Sequence, residues 1–294
     1  MKIRHILPLF IAGSSALITQ GAEVPVTDLP STVVHGNASS LDEEQLVGSN
    51  KQPEWTTERR FGSVRSYVIS PWQVEIETWW RPEVGKDRTH SNLFEQEIEI
   101  GLPGGFMFDF YGNFTNGSGE KFRYRGEQYE MRYAFAEWGK IPFNPTLYVE
   151  FQNNRRDPNR VETKLLFADS IAPRWHVGSN LYFETETSGD RQHTYGVTAG
   201  IGYTVVDQKF NVGLEAKFEA SNFHGDRKAL VKEFDIGPSI QLRPSKRTHL
   251  DFVALFGTTD HSPRLAAYVI FGVNLGKIDE DKGGYAPISS RGAR

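Results

Sequence analysis

The chain has 294 residues, a formal net charge of −4, 28 glycines and no cysteine. Without cysteine it holds no disulfide, thiolate metal site or cysteine nucleophile. Its acidic balance gives no electrostatic basis for nucleic-acid binding. Aromatic residues make up 13% of the chain, and only three residues are methionine, which favours a β-rich protein. The mean hydropathy of −0.47 does not exclude strands that cross a membrane, because such strands alternate in polarity.

The N-terminus has the order of a secretory signal peptide. Lys2 and Arg4 precede the mostly apolar segment 6–17, and small residues follow. This order predicts a signal peptide over residues 1–22 and therefore export, with a buried N-terminal helix as the alternative. Cleavage would remove two basic residues and no acid, so the charge would change from −4 to −4 − 2 = −6.

Residues 23–70 are polar and show no sustained period. Such a composition is typical of a segment that does not fold on its own. We therefore expect a flexible periplasmic N-terminal arm, through which a periplasmic partner could bind.

Residues 71–276 change to short alternating segments separated by Gly, Pro, Asn and Asp. The twelve segments are 72–80, 92–102, 106–114, 129–137, 146–152, 161–169, 175–186, 193–205, 209–220, 233–242, 248–257 and 264–273. Their usual length of nine to twelve residues fits a tilted strand that crosses a bilayer. An even count fits a bacterial barrel. The pattern predicts an all-β, antiparallel up-and-down transmembrane β-barrel of about 12 strands, followed by a polar C-terminal tail over 277–294.

Alternation by itself is also compatible with a secreted soluble β-protein, which would turn its apolar face inward. Phe106, Phe108 and Phe110 lie on one face of their segment and Asp109 on the other. Aromatic residues concentrate near segment ends, as in the interfacial belts of membrane barrels. The members are Trp72, Trp79, Trp80, Trp138, Trp175 and Tyr203. Together with the signal peptide, they favour the membrane barrel, with its apolar face toward lipid.

The polar faces would then line a lumen. The predicted channel-lining residues are Glu75, Glu77, Glu95, Glu97, Glu99, Asp109, Tyr111, Glu130, Arg132, Glu150, Glu162, Lys164, Tyr182, Glu184, Glu215, Lys217 and Asp235. Acids outnumber bases in this set, and an acidic lining favours cations over anions. The alternative is an interior filled by paired charges and water, with no open path.

No catalytic constellation is evident, and no metal or cofactor is expected. His249 and Asp251 share a strand face, but no nucleophile accompanies them. Two other roles stay open for a barrel of this kind. One is a structural or assembly role, and the other is a lipid-directed hydrolase.

Two stretches, LFEQEIEIGLPGGFMFDFYGNF (93–114) and YEMRYAFAEWGKIPFNPTLYVEF (129–151), resemble a family of bacterial outer-membrane proteins associated with phenol degradation, the MetA-pathway type. The resemblance implies an outer-membrane barrel that helps small molecules cross, and it carries over no functional residue. The chain departs from many such barrels in ending on a polar tail instead of an aromatic residue.

These observations predict a channel in the outer membrane of a Gram-negative bacterium. It would pass small cationic or neutral solutes passively through an acidic lumen. Its partners would be outer-membrane lipid and small solutes.

Overall fold

The computed structural model describes residues 41–276. The predicted signal peptide, residues 23–40 of the predicted arm and the tail 277–294 lie outside the described residues. Those boundaries stay predictions.

Within the described residues, two short strands precede a barrel of twelve. The strands are β1 (Leu46–Val47), β2 (Gln52–Pro53), β3 (Val74–Val84), β4 (His90–Leu102), β5 (Phe106–Gly117), β6 (Arg123–Ala134), β7 (Thr146–Asn154), β8 (Arg160–Ala172), β9 (Trp175–Glu186), β10 (Gln192–Val206), β11 (Phe210–Phe223), β12 (Asp226–Ser245), β13 (Thr248–Gly257) and β14 (Leu265–Asn274). Each barrel strand pairs antiparallel with its neighbours in sequence, and β14 pairs with β3 to close the ring. Closure leaves no unpaired sheet edge. The predicted fold class is confirmed.

The two faces of the wall follow the sequence alternation. In the β4–β5 hairpin Ile98 lies opposite Phe110, and Glu97 lies opposite Tyr111. Ile98 is 40% exposed, whereas Glu97 is completely buried. The apolar face therefore points outward and the acidic face inward, as expected for a membrane barrel. Among the residues described, no helix is both long and apolar enough to cross a membrane.

The connections differ between the two ends of the barrel. One end, here called the tight-turn end, carries the turns 103–105, 173–174, 207–209 and 246–247 and the longer connection 135–145. Gly104 and Gly105 have φ of +77° and +80°, a conformation that glycine adopts at little cost. The opposite, or loop, end carries 85–89, 118–122, 155–159, 187–191, 224–225 and 258–264. β12 continues for 20 residues, so it begins seven residues before the predicted segment 233–242.

Residues 41–73 form a plug inside the barrel. The plug contains two 3-10 turns, Asp42–Glu44 and Glu54–Thr56, and the β1–β2 pair. It makes hydrogen bonds to inward-facing groups on β3, β4, β5, β6, β8, β9, β10, β11 and β12. A segment can reach wall groups around the whole ring only from within it.

The plug corrects the expectation of a flexible arm for residues 41–70. Its polar sequence has no core of its own, yet Trp55 and Phe61 are 1% exposed and Val68 is fully buried. The surface that buries them is the inner wall of a barrel formed by distant residues. The composition of residues 41–70 gives no information about that surface, because other parts of the chain form it.

The aromatic belt is only partly as expected. Trp80 and Trp175 are exposed on the outer face of the wall, and Trp72 is exposed two residues before β3 begins. Trp79 points inward, because it shares the parity of Glu77 and is 5% exposed. Trp138 packs against Tyr67 of the plug, with ring centroids 5.1 Å apart.

Candidate functional site in the barrel lumen

The predicted channel-lining residues all have buried or half-buried side chains, but the structure divides them. One group lines a cavity toward the loop end: Glu95, Tyr111, Glu150, Glu162, Lys164, Tyr182, Glu184 and Lys217. A second group lies at the level of the plug, and it comprises Glu75, Glu77, Glu97, Glu99, Asp109, Glu130, Arg132 and Glu215. Asp235 lines a smaller adjoining cavity of about 260 Å³. Whether any of these residues contacts a passing solute stays a prediction.

Arg59 is the centre of the contact between plug and wall. Its Nε lies 2.8 Å from Glu77 Oε1, and its Nη2 lies 2.6 Å from Glu77 Oε2. The same Nη2 is 3.0 Å from Glu99 Oε1. The guanidinium also stacks on Trp79, 4.3 Å from the ring centroid. A planar fork of donors suits several carboxylates at once, so one plug residue satisfies acids from two strands.

A second guanidinium extends this network toward the cavity. Arg65 Nη2 lies 2.9 Å from Glu97 Oε1, and Nη1 lies 3.3 Å from Glu99 Oε1. Arg132 of β6 pairs with Asp109 at 2.8 Å and contacts Glu130 and the Tyr67 carbonyl oxygen. The acidic face predicted from the sequence is thus met by bases, two of which come from the plug.

The first turn of the plug is fixed near the tight-turn end. His176 Nε2 lies 3.0 Å from Glu43 Oε1, and Arg60 Nη2 donates to Glu43 Oε2 at 2.7 Å. Burial by itself raises the pKa of Glu43. The contacts with His176, Arg60 and Thr204 outweigh that effect and bring the pKa to about 2. Glu43 is therefore charged at neutral pH and holds the plug to β9 and β10.

Glycines in the wall make room for an apolar part of the plug. A Cβ at Gly200 would lie 2.8 Å from Phe61 Cδ1, and one at Gly178 would lie 3.1 Å from Phe61 Cε2. Beside this seat, Ser63 donates from its backbone and its hydroxyl to Glu215 Oε2, at 2.7 and 2.6 Å. The small residues of β9 and β10 thus have a packing role that the sequence alone does not show.

A vestibule of about 400 Å³ lies between the plug and the loop end. Its floor includes Gly62, Ser63 and Arg65, and its wall includes Gln152 and Gln192 at the loop-side ends of their strands. Its charged lining consists of six acids and six bases: Glu95, Glu150, Glu162, Glu184, Glu219, Glu233, Arg65, Arg81, Arg125, Arg160, Lys164 and Lys217. The vestibule is therefore formally neutral, which corrects the expectation of an acidic lining in the described state.

Most of these bases lie close to an acid. Arg81 is 3.2 Å from Glu95, and Lys217 is 2.7 Å from Glu219. Arg160 is 3.1 Å from both Glu184 and Glu186. Lys164 is 2.8 Å from Glu162 and 4.5 Å from the Tyr148 ring centroid. The pairs leave the vestibule strongly polar without a large field of either sign.

Lys164 and Lys217 are among the lining residues predicted from the sequence, whereas five arginines of the lumen are missing from that prediction for two reasons. Three of them lie outside the predicted segments, so the alternation did not assign them to a face of the wall: Arg81, Arg125 and Arg160. Arg59 and Arg65 belong to the predicted arm, so they were not counted in the lumen. Arg81 follows Glu77 and Trp79 at alternate positions, so the same alternation would have predicted that it points inward.

A hydroxyl, an imidazole and a carboxylate also meet where the plug enters. Ser170 Oγ lies 3.1 Å from His176 Nδ1, whose Nε2 faces Glu43. These are the group types of a nucleophile, a base and an orienting acid. Ser170 Oγ also accepts from Trp55 Nε1 at 3.1 Å and lies 3.2 Å from Glu44 Oε2. The hydroxyl is thereby engaged by plug residues. Glu43 is distant in sequence, so no local motif could have indicated this set.

The comparison with family models supports the resemblance drawn from the sequence. Residues 143–275 match the family described as Putative MetA-pathway of phenol degradation. This range contains β7 to β14. It overlaps only the end of the second stretch on which the resemblance was based. A comparison with curated proteins gave no match.

Solved structures similar to this chain include an outer-membrane channel and two porins. The COG4313 outer membrane channel from Pseudomonas putida F1 is 11% identical, with a TM-score of 0.54 over 74% of this chain and 100% of that chain. The KdgM porin is also 11% identical, with a TM-score of 0.48 over 68% of this chain and 98% of that chain. The NanC porin is 11% identical, with a TM-score of 0.46 over the same shares. At this identity the likeness to the COG4313 channel establishes the fold alone.

Proposed function

We propose that the protein is an outer-membrane channel of a Gram-negative bacterium that passes small neutral or cationic solutes passively, and that the plug closes its lumen in the described state. The observation that carries the proposal is a polar vestibule that leads to a plug, with an acidic wall around the plug. The proposed signal peptide over 1–22 would supply export, and lipid would contact the outward apolar face.

The plug closes the path at its own level. Trp55, Phe61 and Val64 are 1% exposed, and Tyr67 is 2% exposed. Side chains this buried leave no water layer beside them. Passage therefore requires that the plug shift or leave.

The acidic character of the lumen would appear only after such a shift. Without the plug, the wall at that level would keep eight acids against two arginines and two histidines: Glu75, Glu77, Glu97, Glu99, Asp109, Glu130, Glu215, Asp251, Arg132, Arg243, His176 and His249. A ring of carboxylates in a pore favours cations. The closed vestibule, with six charges of each sign, would admit polar solutes without selecting strongly by charge.

Conductance in planar bilayers tests this proposal. We expect the wild-type chain to conduct little, and a variant with a loosened plug, Arg59→Ala with Phe61→Ala, to conduct more and with cation selectivity. Lys51→Ala is the matched control, because the Lys51–Glu137 pair joins the plug to the wall at an exposed site. Liposome swelling with a neutral sugar, a cationic amino acid and an anionic sugar acid gives the solute preference.

Two results would count against the proposal. One is an absence of channel activity in both the wild type and the loosened variant. The other is clear anion selectivity in the loosened variant.

The second candidate function is a hydrolase, favoured by the Ser170–His176–Glu43 arrangement alone. Hydrolysis of a chromogenic ester or a phospholipid by the purified chain, abolished by Ser170→Ala, would support it. Unchanged hydrolysis in Ser170→Ala, or none in the wild type, would reject it. A periplasmic contact through residues 41–70 is not proposed, because those residues are largely enclosed by the barrel.

A further inference from the structure

The first turn of the plug brings three metal-ligating groups together beside β9. Their ligand atoms all lie within 4.8 Å of one another. His176 Nε2 is 3.0 Å from Glu43 Oε1 and 3.6 Å from Glu44 Oε1. Glu43 and His176 are fully buried, and the Glu44 side chain is 23% exposed. The cluster combines an imidazole with two carboxylates and has one side open to solvent.

Hydrogen-bond accounting leaves a place for a positive charge in this cluster. Ser170 Oγ lies 3.2 Å from Glu44 Oε2 and 3.1 Å from His176 Nδ1. A hydroxyl has one proton to donate. If Ser170 donates it to Glu44, then His176 Nδ1 must donate to Ser170. In that tautomer Nε2 turns a lone pair toward two carboxylate oxygens, where a metal ion would replace the Nε2 proton that faces Glu43 in the metal-free chain.

One of those oxygens supports this reading directly. Glu44 Oε1 is buried and has no hydrogen-bond partner. A buried carboxylate oxygen without a partner is costly. A cation between Glu44 Oε1, Glu43 Oε1 and His176 Nε2 would satisfy all three atoms.

We propose that Glu43, Glu44 and His176 bind a divalent transition-metal ion of the zinc class, which fastens the start of the plug to the barrel wall. Zinc bonds of about 2.0–2.2 Å in a tetrahedron place neighbouring ligand atoms about 3.4 Å apart. The separations of 3.0 and 3.6 Å bracket that value. A water molecule would take the fourth position.

The surrounding groups have the roles that a metal site requires. Ser170 accepts from the second imidazole nitrogen and so fixes the ring and its tautomer. Arg60 holds the other oxygen of Glu43 at 2.7 Å. The imidazole favours zinc-class ions over calcium and magnesium, which prefer all-oxygen sites.

A second group of candidate ligands fits a metal less well. Glu75, Glu77 and His249 also lie within ligand distance of one another. There the Arg59 guanidinium already occupies Glu77, and Asp251 binds the second nitrogen of His249. At that place the Arg59 guanidinium supplies the positive charge that a metal ion would otherwise bring.

Metal binding by the full, untagged chain in detergent tests the proposal. After removal of metal with a chelator, we expect one Zn²⁺ per chain by titration calorimetry, and the visible absorption of four-coordinate Co²⁺ when cobalt replaces zinc. Glu44→Gln and His176→Gln should each weaken binding by about tenfold or more. Glu54→Gln, a plug acid outside the cluster, is the matched control and should bind like the wild type.

The wild-type Co²⁺ spectrum decides without any variant: no binding, or only a six-coordinate spectrum, overturns the proposal. Unchanged Zn²⁺ affinity in both Glu44→Gln and His176→Gln also overturns it. The ion would then sit elsewhere, for example at the exposed pair His193 and His224, whose facing nitrogens are 3.5 Å apart.

Discussion

Arg59 of the plug holds Glu77 of β3 through three hydrogen bonds of 2.8, 3.0 and 2.6 Å, and both side chains are buried. The two residues are 18 positions apart in the chain, yet one belongs to the plug and the other to the wall. A buried charge pair of this kind contributes little when compared with an apolar pair, but loss of one partner is costly. The pair therefore makes Arg59 one of the side chains on which the position of the plug depends.

Arg59→Ala should release the plug. It leaves Glu77 and Glu99 buried without their guanidinium, at a cost of about 3–5 kcal/mol. Limited proteolysis of the folded barrel, with cleavage mapped to residues 41–73, measures the release. Lys51→Ala removes an exposed pair and should change cleavage little, because such pairs contribute about 0–1 kcal/mol. Equal protection in Arg59→Ala and the wild type would contradict the prediction.

In the metal-free chain, plug docking should weaken in acid through Glu43. Its pKa is about 2 in the folded chain, against 4.5 as the ordinary value. A lowered folded pKa gives stability that is present above pH 4.5 and is lost as pH falls from 4.5 toward 2, on the order of 3 kcal/mol. Fluorescence of the buried plug residue Trp55 follows docking. Glu43→Gln should lack this part of the pH dependence, and an unaltered profile in that variant would refute the assignment.

Phe61→Ala should loosen the plug without touching a charge. Phe61 is 1% exposed and packs on Gly178 and Gly200, so its loss leaves a cavity worth about 3–5 kcal/mol. Leu46→Ala is the control, because Leu46 is in the plug but 64% exposed. Chemical denaturation, with cleavage of the plug as the readout, should give a lower midpoint for Phe61→Ala than for Leu46→Ala. Similar midpoints for both would show that the contact of Phe61 with Gly178 and Gly200 does not stabilise the docked plug.

Cysteine labelling should distinguish the vestibule from the wall behind the plug, since the chain has no cysteine of its own. Gln128→Cys lines the vestibule and should react with a membrane-impermeant thiol reagent. Asp109→Cys is fully buried and should stay protected until Arg59→Ala is added. Phe108→Cys, on the outward apolar face that we propose to contact lipid, should stay unreactive in both backgrounds. Rapid labelling at Asp109→Cys in the intact chain would show that the plug does not close the lumen.

The wall of the barrel could be predicted from the sequence because its signal is local. The alternation of Glu95, Glu97 and Glu99 with Ile98 and Ile100 assigns each side chain to a face, and twelve such segments give the strand count. Strand ends were less accurate, as β12 shows, since pairing with a neighbour extends a strand beyond its apolar residues. The acids were predicted to point inward because they alternate with apolar residues, and the apolar face was expected to contact lipid.

The sequence by itself determined the strands, their two faces and the acids of the inner face. Only the tertiary structure decided what those acids face. Glu77 and Glu99 are met by Arg59, and Glu43 reaches His176 across 133 positions. No periodicity records such pairs, because the plug has no core of its own and its buried surface exists only once the ring of strands has closed.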